Sequence, residues 1–240
     1  MPPAIDRSKV IIRPISSSKT EQRWVWEMVI RNLTNCVIPG LVKRTLAQLP
    51  AAAIAAPVLA FLWYVTGNAI FSVLATVIFW VVISVANCYM GIWGWEACFQ
   101  EEKANLYEYY NRPKSRFWVA ENAGRILGSV AIDRKTDDVA ELKRMVLEPD
   151  CRGSGIASDL VKTAVEFCKE SGYKELFLST SEFQLSARAL YAKCGFKETD
   201  IIRNPSDFYL TTLYVHIFRM TLTEEKIKPF AHVISWHKTN

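Results

Sequence analysis

Glu148-Pro149-Asp150-Cys151-Arg152-Gly153-Ser154-Gly155-Ile156-Ala157 decides the fold of this 240-residue chain. It joins a strand expected over Ala140 to Leu147 to a helix expected from about Ser158 to Glu170, which Gly172 closes as a C-cap. A strand ending in a glycine-bearing turn that opens a helix is built to hold an anionic phosphate. The small residues let the backbone come close, successive N–H groups face the ligand, and the helix dipole adds about half a positive charge. The segment lacks the Lys-Ser/Thr ending of a P-loop. It also lies far from the N-terminal strand where a dinucleotide fingerprint usually sits, so nucleotide hydrolysis is disfavoured.

Working outward, the period of the apolar residues switches between helix and strand. Upstream, Val10 to Ile15 reads as a strand and Glu21 to Leu33 as a helix with Val25, Met28, Val29 and Leu33 on one face. Glu96 to Asn111 reads as a helix stopped before Pro113. Phe117 to Glu121, the turn Asn122-Ala123-Gly124 and Ile126 to Ile132 read as a hairpin. Downstream come a strand at Glu175 to Ser179, a helix at Ser186 to Cys194, and strands near Phe196 to Ile202 and Thr211 to Met220. The whole is a mixed α/β domain, followed by an unassigned tail from Thr223 to Asn240.

One block interrupts this domain. From Thr45 to Trp95 there is no Asp, Glu, Lys, Arg or His, and all 24 acidic and 29 basic residues lie outside it. A helix of about 20 apolar residues spans a bilayer. Leu46 to Val65 and Ala69 to Met90 are candidates, joined by the turn Thr66-Gly67-Asn68 into a hairpin whose flanks emerge on one side. Pro50 and Pro57 weaken the first helix and leave a re-entrant hairpin open beside two full spans. Trp63, Tyr64, Trp93 and Trp95 mark segment ends suited to the interface, and Arg31, Lys43, Arg44 and Lys103 favour a cytosolic flank. The sequon Asn32-Leu33-Thr34 cuts against that side, whereas Asn204-Pro205-Ser206 is barred by its proline. The expected division is 1–44 (first strand and helix), 45–95 (hairpin), 96–222 (catalytic domain) and 223–240 (tail).

Composition excludes other classes. A net charge of +5 is mild and dispersed, without basic runs interleaved with aromatics, which argues against nucleic acid. Cys36, Cys88, Cys98, Cys151, Cys168 and Cys194 form no CxxC or Cys/His pattern, so neither zinc nor a disulfide framework is expected, and the thiols fit a reducing compartment. Pro2 to Lys9 is polar and mixed, unlike a cleavable signal peptide.

Arg152 to Ala157 matches the R/Q-x-x-G-x-G/A loop of the GNAT superfamily, and the strand before it resembles that family's splayed fourth strand. Ala187-x-x-Leu190-Tyr191-x-x-Cys194-Gly195-Phe196 matches the family's A-x-x-L-Y-x-x-x-G-F helix, with Gln184 standing where many members carry Asn. The chain further resembles the camello-like membrane N-acetyltransferases in its inserted hairpin, its FWVAE strand, its GIA loop ending and its QLSA-x-ALY stretch. This resemblance implies the GNAT fold and transfer of acetyl from acetyl-CoA to an amine at the endoplasmic reticulum membrane. It implies no metal, and no partners beyond acetyl-CoA, a small-molecule amine and membrane lipid. The cofactor would meet Arg152, Gly153, Ser154, Gly155, Ile156, Ala157 and Gln184. The backbone N–H near Met145 or Leu147 would polarise the thioester carbonyl.

Attack by an amine on a thioester needs a neutral amine and a protonated leaving thiol. Glu141 is the candidate base and Tyr191 the candidate acid. A solvated strand Glu and a packing Tyr are the plain alternatives. Cys151 and Cys194 lack an obvious His partner for an acyl-cysteine route, and His216 is expected to pack or hydrogen-bond on its strand. The family's acceptors carry a carboxylate, for which Lys143, Arg144 and Arg203 are possible partners. The expected acceptor is a cysteine S-conjugate. Aspartate, a protein lysine, and an idle acyl-CoA-binding role are the alternatives.

Overall fold

A computed structural model describes residues 7–47, 49–97, 99–203 and 213–223. The Asn204-Pro205-Ser206 sequence, the start of the last expected strand and most of the C-terminal tail lie outside them. Seven strands form one sheet: β1 (Ile11–Pro14), β2 (Arg116–Asn122), β3 (Arg125–Arg134), β4 (Val139–Leu147), β5 (Glu175–Ser181), β6 (Lys197–Arg203) and β7 (Tyr214–Thr221). Their order is β1-β2-β3-β4-β5-β7-β6, and β4 with β5 is the parallel pair. Alternation along β2 feeds two cores. Trp118 and Ala120 face the layer holding α6 (Ile156–Glu170) and α7 (Leu185–Lys193), while Phe117 and Val119 face α1 (Lys19–Ala47) and α5 (Leu106–Tyr110). Leu160, Ala164 and Cys168 supply the sheet-facing stripe of α6, all fully buried.

Two expectations needed correction. The first helix does not stop at Leu33 but runs from Lys19 to Ala47 through Pro39. One missing donor is outweighed because this stretch is packed laterally: Val37 is buried against Leu213, and a Cβ on Gly40 would meet the Phe183 ring at 2.2 Å. The expected helix over Glu96 to Asn111 is broken into α4 (Gln100–Ala104) and α5, because the Asn105 side chain accepts from Glu108 N–H and caps a new start. The helix that follows α1, α2 (Leu49–Thr66), holds both Pro50 and Pro57.

Gly67 and Asn68 turn α2 into α3 (Ala69–Ala97), so the hairpin forms at the expected point. Among the described residues one helix is long and apolar enough to cross a membrane, with its apolar window at Ala69–Ala86; the apolar stretch of α2, Ala55–Thr66, is shorter. The pattern on α3 is inverted relative to a core helix. Ser72, Thr76 and Ser84 are buried with Trp80 at intervals of four, whereas Phe71, Leu74, Ile78 and Val82 point outward. Each buried hydroxyl is satisfied on its own helix, Ser72 donating to Asn68 O at 2.8 Å, Thr76 to Ser72 O at 2.7 Å and Ser84 to Trp80 O at 2.8 Å.

The site depends on how β4 leaves its neighbours. It pairs with β5 only over Val139 to Glu141, then diverges. On its other edge Val130 faces two residues, Arg144 and Met145, which is a bulge. Gly128 lies beside it, and a Cβ there would come within 2.6 Å of Val146 O and 2.9 Å of the Leu147 side chain. Gly128→Ala is therefore expected to cost about 2 kcal/mol and to lower Tm by roughly 4–8 °C in a thermal melt. An unchanged Tm would mean the bulge yields freely.

Candidate active site

Between the diverging strands lies a cleft of about 460 Å³. Leu142 to Leu147 form one wall, Ser179 and Thr180 the other, and α7 closes it with Ala187, Leu190, Tyr191 and Lys193. The loop at the start of α6 contributes Arg152, Gly153, Gly155 and Ala157, and α1 contributes Val29, Asn32, Leu33 and Cys36.

The loop has the expected conformation. Gly153 and Gly155 adopt φ of +78° and +88°, values that a side chain strains to reach, and Gly155 is the N-cap of α6. Ser154 Oγ donates to Cys151 O at 2.6 Å and so fixes the turn. No acceptor within the described residues takes the N–H groups of Gly153, Gly155 or Ala157. They stand beside a positive helix end and the cleft-lining Arg152 and Lys193, an arrangement that attracts phosphate. Arg7 adds a cation that the sequence did not flag. It bonds Asp159 through two nitrogens at 2.9 and 2.6 Å, and its guanidinium would lie 2.8 Å from a Cβ on Gly155. Ser154 and Ile156 shape the turn without lining the cleft, and the Ile156 side chain is buried in the core.

Gln184 does line the cleft, yet its Oε1 is occupied locally. It accepts from Thr180 Oγ1, Ser181 N–H and Ser181 Oγ at 3.0 to 3.1 Å, and so closes the turn between β5 and α7. Tyr191 is 5% exposed, packed edge-on against Phe196 and tilted against Phe218. Burial, with the nearby Cys194, holds its phenol above the usual range, which keeps it a proton donor. On β4, Glu148 N–H bonds Leu127 O, so strand alternation sends the N–H groups of Met145 and Leu147 away from β3, towards the gap β5 has left.

Glu141 is placed elsewhere. It does not line the cleft, and its carboxylate pairs with Lys135 at 2.7 Å. Glu141 lies where β4 is still paired on both edges, before the strands diverge. No carboxylate is present among the described lining residues. Of the suggested carboxylate partners, Lys143 and Arg144 reach the cleft wall with their charges turned to Glu102 and Asp133, while Arg203 ends β6 away from it. His216 bonds Glu198 at 2.8 Å on neighbouring strands, as its sequence context suggested. Asn32 is 7% exposed and its Nδ2 donates to Met28 O at 3.0 Å, so a glycan there would have to fill the cleft. The α1 wall was legible only as an apolar helix face. That this face covers the cleft depends on tertiary packing.

One cleft thus brings together a glycine turn at a helix N-terminus, the gap between β4 and β5 and a buried phenol. In comparison with known proteins, residues 82–196 match the acetyltransferase (GNAT) family. The chain is 40% identical over 96 residues to N-acetyltransferase 8B of Homo sapiens, covering 38% of this chain and 42% of that one. It is 28% identical over 238 residues to N-acetylaspartate synthetase of Danio rerio, covering 91% of this chain and 81% of that one. The chain spans about half the length of most of the curated relatives it matches. The crystal structure of a GNAT-family acetyltransferase from Staphylococcus aureus Mu50 superposes with a TM-score of 0.53 at 16% identity, covering 89% of this chain and 99% of that one, a likeness of fold.

Two outcomes test this geometry. Gly155→Val, which strains the turn and strikes Arg7, is expected to weaken acetyl-CoA binding by at least about tenfold in calorimetry. Burial pushes the Cys151 thiol up to about 11, and the Cys194 thiol is also raised by burial, so neither is a ready nucleophile at neutral pH. Mass spectrometry of enzyme held with acetyl-CoA and no acceptor is expected to show no acetyl-cysteine. A stable adduct on either residue would overturn the direct-transfer reading.

Proposed function

We propose that this protein transfers acetyl from acetyl-CoA to the amine of a small amino-acid-like molecule, a cysteine S-conjugate by preference. The observation that carries this reading is that one cleft holds the buried Tyr191 and the N–H groups of Gly153, Gly155 and Ala157, which meet no acceptor among the described residues. The turn, with Arg152, would hold the cofactor's phosphates, and the thioester would reach the gap beside Met145 and Leu147. There a backbone N–H stabilises the oxyanion formed as the amine nitrogen attacks the carbonyl carbon. When the C–S bond breaks, the CoA thiolate takes the Tyr191 proton. The amine's surplus proton leaves through water and restores the phenol, since no carboxylate lines the described cleft. In this reading Glu141 acts in a charge cluster with Lys135 and does not touch the amine. A Glu141→Gln variant that folds but loses turnover would restore it as the base.

The α1 wall supports an acceptor with an apolar substituent, because Val29 and Leu33 face it. Aspartate is the second reading, supported by the long match to N-acetylaspartate synthetase. Its two carboxylates would need cations, and those of Lys143 and Arg144 are already engaged by Glu102. The inverted pattern of α3 supports insertion of the α2–α3 hairpin in a membrane. Small hydroxyl residues pack inside and apolar ones face out, as expected where lipid is the solvent. By resemblance that membrane is the endoplasmic reticulum, with residues 96–222 on its cytosolic side.

Microsomal protein supplied with acetyl-CoA is expected to release CoA fastest with S-benzyl-cysteine, more slowly with aspartate, and slowest with lysine peptides. Tyr191→Phe is expected to lower kcat about 10²-fold while acetyl-CoA still binds. No CoA release with any acceptor, or an unaffected Tyr191→Phe, would leave an idle acyl-CoA-binding protein as the better reading. For the membrane part, the protein is expected to resist carbonate extraction, and its release into the soluble fraction would count against insertion.

A further inference from the structure

We propose that the buried ion pair between Glu102 and Arg144 is the brace that keeps the β4 bulge open, which makes both residues positioning groups for the backbone donors at Met145 and Leu147. The proposal rests on the acetyl-transfer reading above and adds to it two residues that touch neither cofactor nor amine in that scheme.

The argument begins with backbone strain. Lys114, Ala123 and Arg144 are the non-glycine residues with positive φ among those described. Lys114 and Ala123 sit in turns, where a left-handed residue is ordinary. Arg144, with φ of +52°, lies inside a strand, at the bulge. A side chain disfavours that conformation, so something else must hold it.

What holds it is visible on both sides of the residue. Its carbonyl accepts from Ser129 Oγ at 2.9 Å. Its guanidinium, with the side chain 6% exposed, grips both oxygens of Glu102 at 2.5 and 2.7 Å, and the Glu102 side chain is 1% exposed. The carboxylate also accepts from Tyr110 Oη at 2.7 Å. The guanidinium lies 4.4 Å from the centroid of the Phe99 ring and 5.3 Å from that of Trp26. Burial would raise the Glu102 carboxyl, but Arg144 and Lys143 outweigh it and hold the group ionised. A paired, bidentate guanidinium in a dry site resists rotation, and with it the backbone at residue 144 is fixed. Relaxing that residue to an extended conformation would realign Met145 with β3 and withdraw its N–H from the cleft. Glu102 belongs to α4, directly after the apolar helix α3, so the brace also ties the catalytic strand to the end of the hairpin.

Because a single Glu102→Gln change strands a buried cation, two double variants give the cleaner test. Glu102→Gln/Arg144→Gly and Glu102→Gln/Arg144→Ala both delete the pair and differ only by a Cβ at a position that needs positive φ. In the full-length chain in detergent, with acetyl-CoA and S-benzyl-cysteine, the glycine variant is expected to lose some kcat, because the pair is gone, but clearly less than the alanine variant. The alanine variant is expected to lose about tenfold in kcat, with KM for acetyl-CoA near the parent's because the phosphate turn is untouched. Infrared spectra of bound acetyl-CoA labelled with ¹³C at its carbonyl should show a lowered stretch in the parent and the glycine variant, and a smaller lowering in the alanine variant. Equal kcat and equal carbonyl shift in the two double variants overturn the brace, as does loss of both readouts, or of folding, in the glycine variant. A parent that lowers the carbonyl stretch but releases no CoA overturns the acetyl-transfer reading and leaves the brace standing.

Discussion

The divergence of β4 from β5 is the constraint on which the rest of the molecule depends. Parallel strands are held by evenly spaced bonds, and here those bonds stop after Glu141, leaving a row of backbone groups on β4 without a sheet partner on that edge. Exposed edges invite unwanted pairing, and this one is shielded because α1, α7 and the loop opening α6 close around it. The gap is therefore a lined cavity with polar backbone at its floor. That combination suits a thioester, which needs one hydrogen bond at its carbonyl and apolar walls around its chain.

Two features keep the gap from closing. The bulge twists β4 away from its partner, and the glycine opposite lets the strands approach there without a side chain in the way. Beneath it lies a cluster of charges from distant parts of the chain: Glu102, Asp133, Lys135, Glu141, Lys143 and Arg144. Charges withdrawn from water persist only when paired, so this cluster is a rigid unit, unlike the solvent-facing pairs of α1 and α6. It holds the charged ends of Lys143 and Arg144 on Glu102 and Asp133 although both residues line the cleft, and it holds Glu141 on Lys135.

The α2–α3 hairpin and the catalytic cleft share a helix. α1 lines the cleft at Val29, Asn32, Leu33 and Cys36 and then continues to Ala47, packing on α3 along the way. A single helix thus links the cleft to the apolar appendage. If α3 lies in lipid, as its inverted pattern supports, the depth and tilt of that hairpin fix where the cleft opens relative to the membrane surface.

The sequence alone determined whatever depends on neighbours along the chain. The glycine turn before α6, the left-handed Gly172 that follows its Ser171 C-cap, the tight Ala123-Gly124 hairpin and the apolar hairpin with its Gly67-Asn68 turn are all local preferences of φ, capping and period. The place of Tyr191 beside the cleft follows from its position on one short helix. Tertiary structure decided whatever depends on which charge meets which. Glu141 pairs with Lys135, Gln184 spends its oxygen on its own turn, and Arg144 reaches Glu102, 42 residues away, at a position no local pattern marks. Arg7 meets Asp159 across 152 residues for the same reason. A charged side chain carries no address in sequence, since its partner is set by how the sheet and helices assemble, and burial then makes that choice binding.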